Sequence, residues 1–140
     1  MKVLFDTNVV LDVLLARAPH VDVAIQLFNL VDRGRLNGVL CATTITTIHY
    51  LATKAVGRAQ AKKHLQELMA MFEIAPVDQT VLSQALDLNL PDFEDAVLHE
   101  SARAFGVAGI VTRNTKDFKG AILPVFSSKE LLSGVVASES

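Results

Sequence analysis

Short apolar runs alternate with longer segments whose apolar residues recur every three or four positions, and this alternation fills most of the chain. Val3-Leu4-Phe5 is a compact run closed by Asp6, the pattern of a central parallel strand buried on both faces. Asn8 is placed to cap a helix over residues 9–16, and Pro19 forbids its continuation. Val21, Ala24, Ile25, Phe28 and Val31 fall at helical spacing, with Gly34 as the stop. Residues 38–42 predict a second strand, and Thr43 or Thr44 then opens a helix towards Gly57. A helix over 58–71 places Ala61, Leu65, Leu68 and Phe72 on one face. Residues 73–77 predict a third strand, kept short by Pro76, and Asp78 is the expected N-cap of a helix over 80–88. Pro91 and Asp92 start a helix that runs to 105 and ends at Gly106. Residues 108–112 and 124–126 complete the strands, and Ser127 or Ser128 caps a last helix over 129–132.

Strands alternating with helices imply right-handed crossovers and a parallel sheet covered on both faces, an α/β fold of three layers, α/β/α. Repeats, low-complexity tracts and linkers are absent, so residues 1–132 are expected to form one domain. The small, polar residues 133–140 are expected to be a flexible tail.

Composition narrows this picture. A single domain of 140 residues, 51% hydrophobic, buries roughly 70% of its unfolded surface and needs no covalent staples. Thirteen basic against 15 acidic residues give a net charge of −2, too little positive charge for a general nucleic-acid coat. The lone Cys41 forbids an internal disulfide and, within Gly38-Val39-Leu40-Cys41-Ala42, reads as a small buried apolar residue. No run approaches the ~20 apolar residues of a membrane span, and the N-terminal run is too short for a signal peptide. A cytoplasmic location without membrane contact is expected.

Three acids then stand out by position. Asp6 closes the first strand, Asp95 lies in Pro91-Asp92-Phe93-Glu94-Asp95-Ala96, and Asp117 follows Val111-Thr112-Arg113-Asn114. Sites in open α/β sheets form outside the carboxyl ends of strands, and acids gathered there repel one another unless a cation sits among them. Each also has a plain structural account. Asp6 suits an Asx-turn or helix cap, Asp92 an N-cap with Asp95 at the third helical position, and Asp117 the cap of a turn before Phe118. Asp12 is expected to be solvated or paired with Arg17, and Glu94 to point away from the face of Asp95. His99, four residues after Asp95, is placed to hydrogen-bond it. No two of the four histidines have the i, i+4 spacing of a zinc helix, and no Gly-rich phosphate loop or Gly-x-Ser-x-Gly elbow occurs.

Asp6-Thr7-Asn8, Phe93-Glu94-Asp95-Ala96 and Val111-Thr112-Arg113-Asn114-Thr115-Lys116-Asp117-Phe118, in this order on an alternating strand–helix pattern, resemble a PIN domain of the single-domain, VapC-type toxin kind. The resemblance spans residues 2–132. It implies a three-layer α/β/α fold and an Mg²⁺- or Mn²⁺-dependent ribonuclease, usually a homodimer, restrained by an antitoxin protein. Asp6 and Asp95 match family acids and are the implied metal ligands. Two positions depart: Thr47 stands where the family often carries Glu, and Asn114 where it carries an acid. Asp92 and Asp117 are the acids available to stand in.

Three functions follow as candidates. The first is a metal-dependent endoribonuclease. It would use Asp6, Asp95, Asp92 and Asp117 as acids, Asn8, Thr112 and Asn114 in support, and Arg113, Lys116 and Arg17 against the RNA. The second is a degenerate PIN domain that binds RNA or protein without turnover. The third is a phosphoacceptor with an acidic pocket, disfavoured because Lys116 lies past the strand end.

Overall fold

Burial of the first strand, Lys2–Phe5, on both faces organises the sheet. In the computed structural model, which describes residues 1–139, β1 (Lys2–Phe5), β2 (Asn37–Cys41), β3 (Glu73–Ala75), β4 (Gly109–Val111) and β5 (Val125–Phe126) form one sheet ordered β3-β2-β1-β4-β5. Every neighbouring pair is parallel. The chain winds outward from β1 to β3, then returns to the other side of β1 for β4 and β5. Strand order therefore reverses between β1 and β4, and a crevice opens outside their carboxyl ends.

The period-2 alternation of the strands divides the core. Val3, Phe5, Leu40 and Val111 face one layer, built with α1 (Thr7–Leu14), α2 (Val21–Asp32), α3 (Ala42–Val56), α4 (Arg58–Met71) and α7 (Ser128–Glu139). Leu4, Val39, Cys41 and Ile110 face the other, against Leu98 and Ala102 of α6 (Phe93–Phe105). A satellite cluster joins Val81 and Ala85 of α5 (Gln79–Asp87) to Ala96 and Val97 of α6. The three-layer α/β/α architecture is as the strand–helix alternation required, and Cys41 is fully buried. Among the described residues, no helix is long and apolar enough to cross a membrane.

Local chemistry explains most boundaries. Asp78 and Asp92 cap α5 and α6 by accepting from the amides of Val81 (2.9 Å) and Asp95 (3.1 Å). Gly106 ends α6 in the left-handed conformation, φ +80°. Three expectations differ. Asp6, not Asn8, caps α1, because its carboxylate reaches the Thr7 amide at 2.7 Å and frees Asn8 for tertiary contacts. The third strand stops at Ala75, since Pro76 has no N–H to extend the ladder. The last helix continues through Glu139 rather than stopping at Leu132, with Leu131 and Val135 buried against the core.

An aromatic triad of Phe5, Phe28 and Phe72 fills the larger core, its rings edge to face at 5.2–6.0 Å. Gly38 in β2 lies directly under the Phe72 ring, and a Cβ there would overlap it. The ring is packed edge to face against Phe5 and Phe28, so a shift disturbs the triad. Gly38→Ala is expected to cost about 1–3 kcal/mol of stability, read as a lowered urea midpoint with an unchanged m-value.

Candidate acidic site at the strand-order reversal

Asp6 is the residue at which β1 becomes α1. Its amide still bonds the Val111 carbonyl of β4 at 2.9 Å, so the backbone is fixed to the sheet up to this point. Its carboxylate is held from three sides. Oδ1 accepts from the Thr7 amide at 2.7 Å, while Oδ2 accepts from the Thr112 hydroxyl at 2.8 Å and the Asn8 amide group at 3.3 Å. Thr112, fully buried just past β4, also accepts from Asn8 Nδ2 (3.4 Å) and the Asn114 amide (3.1 Å). Asn8 Oδ1 in turn accepts from the Arg113 amide at 3.2 Å. Residues a hundred positions apart thus lock the ends of β1 and β4 together.

An open cleft of about 350 Å³ lies over this junction. The first strand end contributes Asp6, Thr7 and Asn8; the start of α6 contributes Asp92, Glu94 and Asp95; the segment after β4 contributes Arg113, Asn114 and Asp117. Arg17 and Thr47 complete the rim. Most of the expected site residues are therefore brought to one place. Lys116, exposed on the 3₁₀ turn Thr115–Phe118, does not line the cleft, and Thr112 lies beneath it.

The acids perturb one another. Burial raises the Asp6 carboxyl above its ordinary value, with a further push from Asp117, while the bonds from Thr112, Thr7 and Asn8 oppose the rise. Asp95 is pushed up to about 7, first by burial and then by the charges of Asp6, Asp92, Asp117 and Glu94. Among the described residues, no set of three or more His, Cys, Asp or Glu side chains is close enough to hold an ion alone. The donor set is nevertheless hard oxygen throughout. Two mutually repelling, partly desolvated carboxylates are groups whose charge a divalent cation would relieve. Such an ion takes its other positions from water and substrate, so Asp6 and Asp95 fit that demand.

Several side chains depart from the sequence reading. Glu94 borders the cleft instead of pointing away, because the first turn of α6 lies along its edge. Asp117 does not cap the 3₁₀ turn; it lies within the turn, close enough to Asp6 and Asp95 to raise both. His99 does not reach Asp95. It is buried, with Nδ1 2.9 Å from Glu100 Oε2 and Nε2 accepting the Ile122 and Leu123 amides, both at 3.1 Å.

Asp12 is the main residue that sequence reasoning undervalued. It pairs with Arg17 as expected, but it is fully buried rather than solvated, and it holds Arg113 as well. Arg17 Nε stands 3.2 Å from Oδ1 and Arg113 Nε 3.0 Å from Oδ2, at ion-pair distance though off hydrogen-bond alignment. Arg17 also donates to the Asn8 carbonyl at 3.3 Å. One buried anion thus fixes two cations on the rim of the acidic cleft. The available signal was the position of Asp12 on the apolar face of α1, between Val9 and Val13.

A family model for the PIN domain matches residues 2–116, and the chain belongs to that family. It is 23% identical over 134 residues to a protein named ribonuclease VapC1 from Aquifex aeolicus (strain VF5), with 92% of each chain covered. Its fold is similar to that of VapBC2 from Rickettsia felis, solved bound to a promoter DNA fragment. That match has TM-score 0.71 and 17% identity, over 91% of this chain and 98% of that one. A toxin–antitoxin complex from Klebsiella pneumoniae is similar at TM-score 0.68 and 23% identity, over 90% and 97% of the two chains.

The raised Asp95 carboxyl has a thermodynamic sign. The folded state binds this proton more tightly than the unfolded state, so stability is lost as pH rises from about 4, the ordinary aspartate value, through about 7. Asp95→Asn is therefore expected to be more stable than the wild type at pH 8 in EDTA, with the gain fading towards pH 4. Urea unfolding at the two pH values measures the difference.

Proposed function

We propose that this protein is a metal-dependent endoribonuclease, the toxin of a toxin–antitoxin pair. The observation that carries the reading is the pair Asp6 and Asp95, partly desolvated and mutually repelling at the reversal of strand order. Membership of the PIN family and similarity to a protein named as a ribonuclease support it.

Asp6 and Asp95 would hold Mg²⁺ or Mn²⁺, with Asn114 and Asp117 completing the outer positions. When bound, the ion supplies positive charge for the phosphoryl oxygens and acidifies water for in-line attack. The chain's own residues do the rest. Thr112, Asn8 and the Thr7 amide fix the direction of the Asp6 carboxylate. Arg113 and Arg17, held by Asp12, face the phosphate backbone across the cleft. Lys116 stands further out, where it would meet a flanking phosphate.

An antitoxin partner is proposed on the similarity to solved toxin–antitoxin complexes, and a homodimer on the family resemblance. Tyr50, Leu51 and Val56 of α3 and Met69 of α4 are exposed apolar residues available to such partners. The setting for this work is the cytoplasm, where RNA and a reduced Cys41 coexist.

A binding module without turnover is the second reading. Thr47 favours it: the side chain lines the cleft where the family often has Glu, and its hydroxyl is turned back onto the Thr43 carbonyl at 3.2 Å. Cleavage of single-stranded RNA, followed by gel, separates the two. On the nuclease reading the wild type cuts in Mn²⁺ or Mg²⁺, stops in EDTA, and loses cutting in Asp6→Asn. RNA binding without cutting in any metal establishes the second reading instead. Thr112→Val should lower Mn²⁺ affinity about 10–100-fold, as loss of a group that orients a ligand does, measured by calorimetric titration.

A further inference from the structure

Beside the acidic cleft lies a second cavity of different character. It measures about 290 Å³ and is bounded by Pro19, His20 and Val23 at the start of α2 and by Ser127, Ser128 and Lys129 at the start of α7. No acidic residue lines it. Arg113 is the wall it shares with the acidic cleft. The guanidinium meets Asp12 through Nε, and its two terminal nitrogens donate no hydrogen bond among the described residues. Lys129 and the His20 ring likewise make no hydrogen bond or ion pair among the described residues.

Resting on the ribonuclease reading and extending it, we infer that this cavity seats the nucleotide next to the scissile phosphate, with Arg113 spanning the two sites. Three features select that occupant. The volume, about 290 Å³, falls just under the roughly 300 Å³ at which ligand pockets start, a size for one nucleotide rather than a folded partner. Pro19, Val23 and the His20 ring give apolar and aromatic surface for a base, as in single-stranded RNA recognition. Arg113 and Lys129 supply positive charge for its phosphate, and the Ser128 hydroxyl is a hydrogen-bonding group for the base or ribose, while the Ser127 hydroxyl already accepts the Glu130 amide at 3.1 Å. The substrate strand would then run from the acids, over Arg113, into the cavity. This also supplies a base platform that the scattered aromatic residues of the sequence did not reveal.

The test uses a fluorescein-labelled single-stranded RNA oligonucleotide of mixed sequence. Its binding is followed by anisotropy in EDTA as salt is raised, and its cut sites are mapped in Mn²⁺. Lys129→Ala removes an exposed charge that has no structural partner among the described residues, and Val23→Phe fills the cavity. Lys129→Ala is expected to reduce the slope of log K against log salt by about one, the mark of a lost phosphate contact. Val23→Phe is expected to change which base is preferred beside the cut. If Val23→Phe proves unfolded by circular dichroism, the salt slope of Lys129→Ala decides alone. Wild-type cleavage with variants that bind and cut as the wild type does overturns the nucleotide seat, leaves the ribonuclease reading standing, and assigns the cavity to a protein segment instead. A wild type that neither binds nor cuts RNA overturns both.

Discussion

The hydrogen bond from the Thr112 hydroxyl to Asp6, 2.8 Å long and buried, joins the carboxyl ends of two neighbouring strands at the point where the strand order reverses. Everything above it inherits its position from this bond. Asp6 closes β1 and opens α1 with the same carboxylate, so the strand, the helix cap and the acid are fixed together. Thr112 does the same for the segment that carries Arg113, Asn114 and Asp117. A buried hydroxyl and carboxylate that satisfy each other avoid the penalty of either one unpaired. Asp6 can therefore cap α1 while its side chain still borders the cleft.

Charge is segregated around this junction. Asp6, Asp92, Glu94, Asp95 and Asp117 crowd the cleft and raise the proton affinity of Asp95, while Arg17 and Arg113 are drawn to its rim by Asp12 from below. The cation-lined cavity beyond Arg113 continues the positive side. A polyanion approaching this face meets its attractive contacts at the edge and the repulsive acids at the centre. On the ribonuclease reading proposed above, that arrangement calls for a cation between the acids and the phosphate.

Much of the fold was legible because it rests on periodicity and punctuation. The helix over 58–71 and the stop at Gly106 follow from local steric rules that tertiary packing did not override. The convergence of Asp6, Asp95 and Asp117 was legible because strand ends in a parallel sheet all point one way. What stayed hidden depends on contacts across the fold. Asp12 looks like any helical acid until Arg113, a hundred residues later, arrives beside it. His99 was assigned to a neighbour one helical turn away, yet its ring faces the loop before β5. The last helix outran its expected end because the burial of Val135 compensates a stretch of small residues with weak intrinsic preference.

The double pairing of Asp12 has a consequence for how this protein tolerates change. A buried anion with one cation removed still has the other, so the loss of either arginine singly costs the interior less than the loss of both. The cleft has no such spare, since each arginine holds its own stretch of rim. Substitutions at these two positions are thus sorted by order of arrival: the first alters the rim of the acidic cleft, and only the second strands a charge in the core.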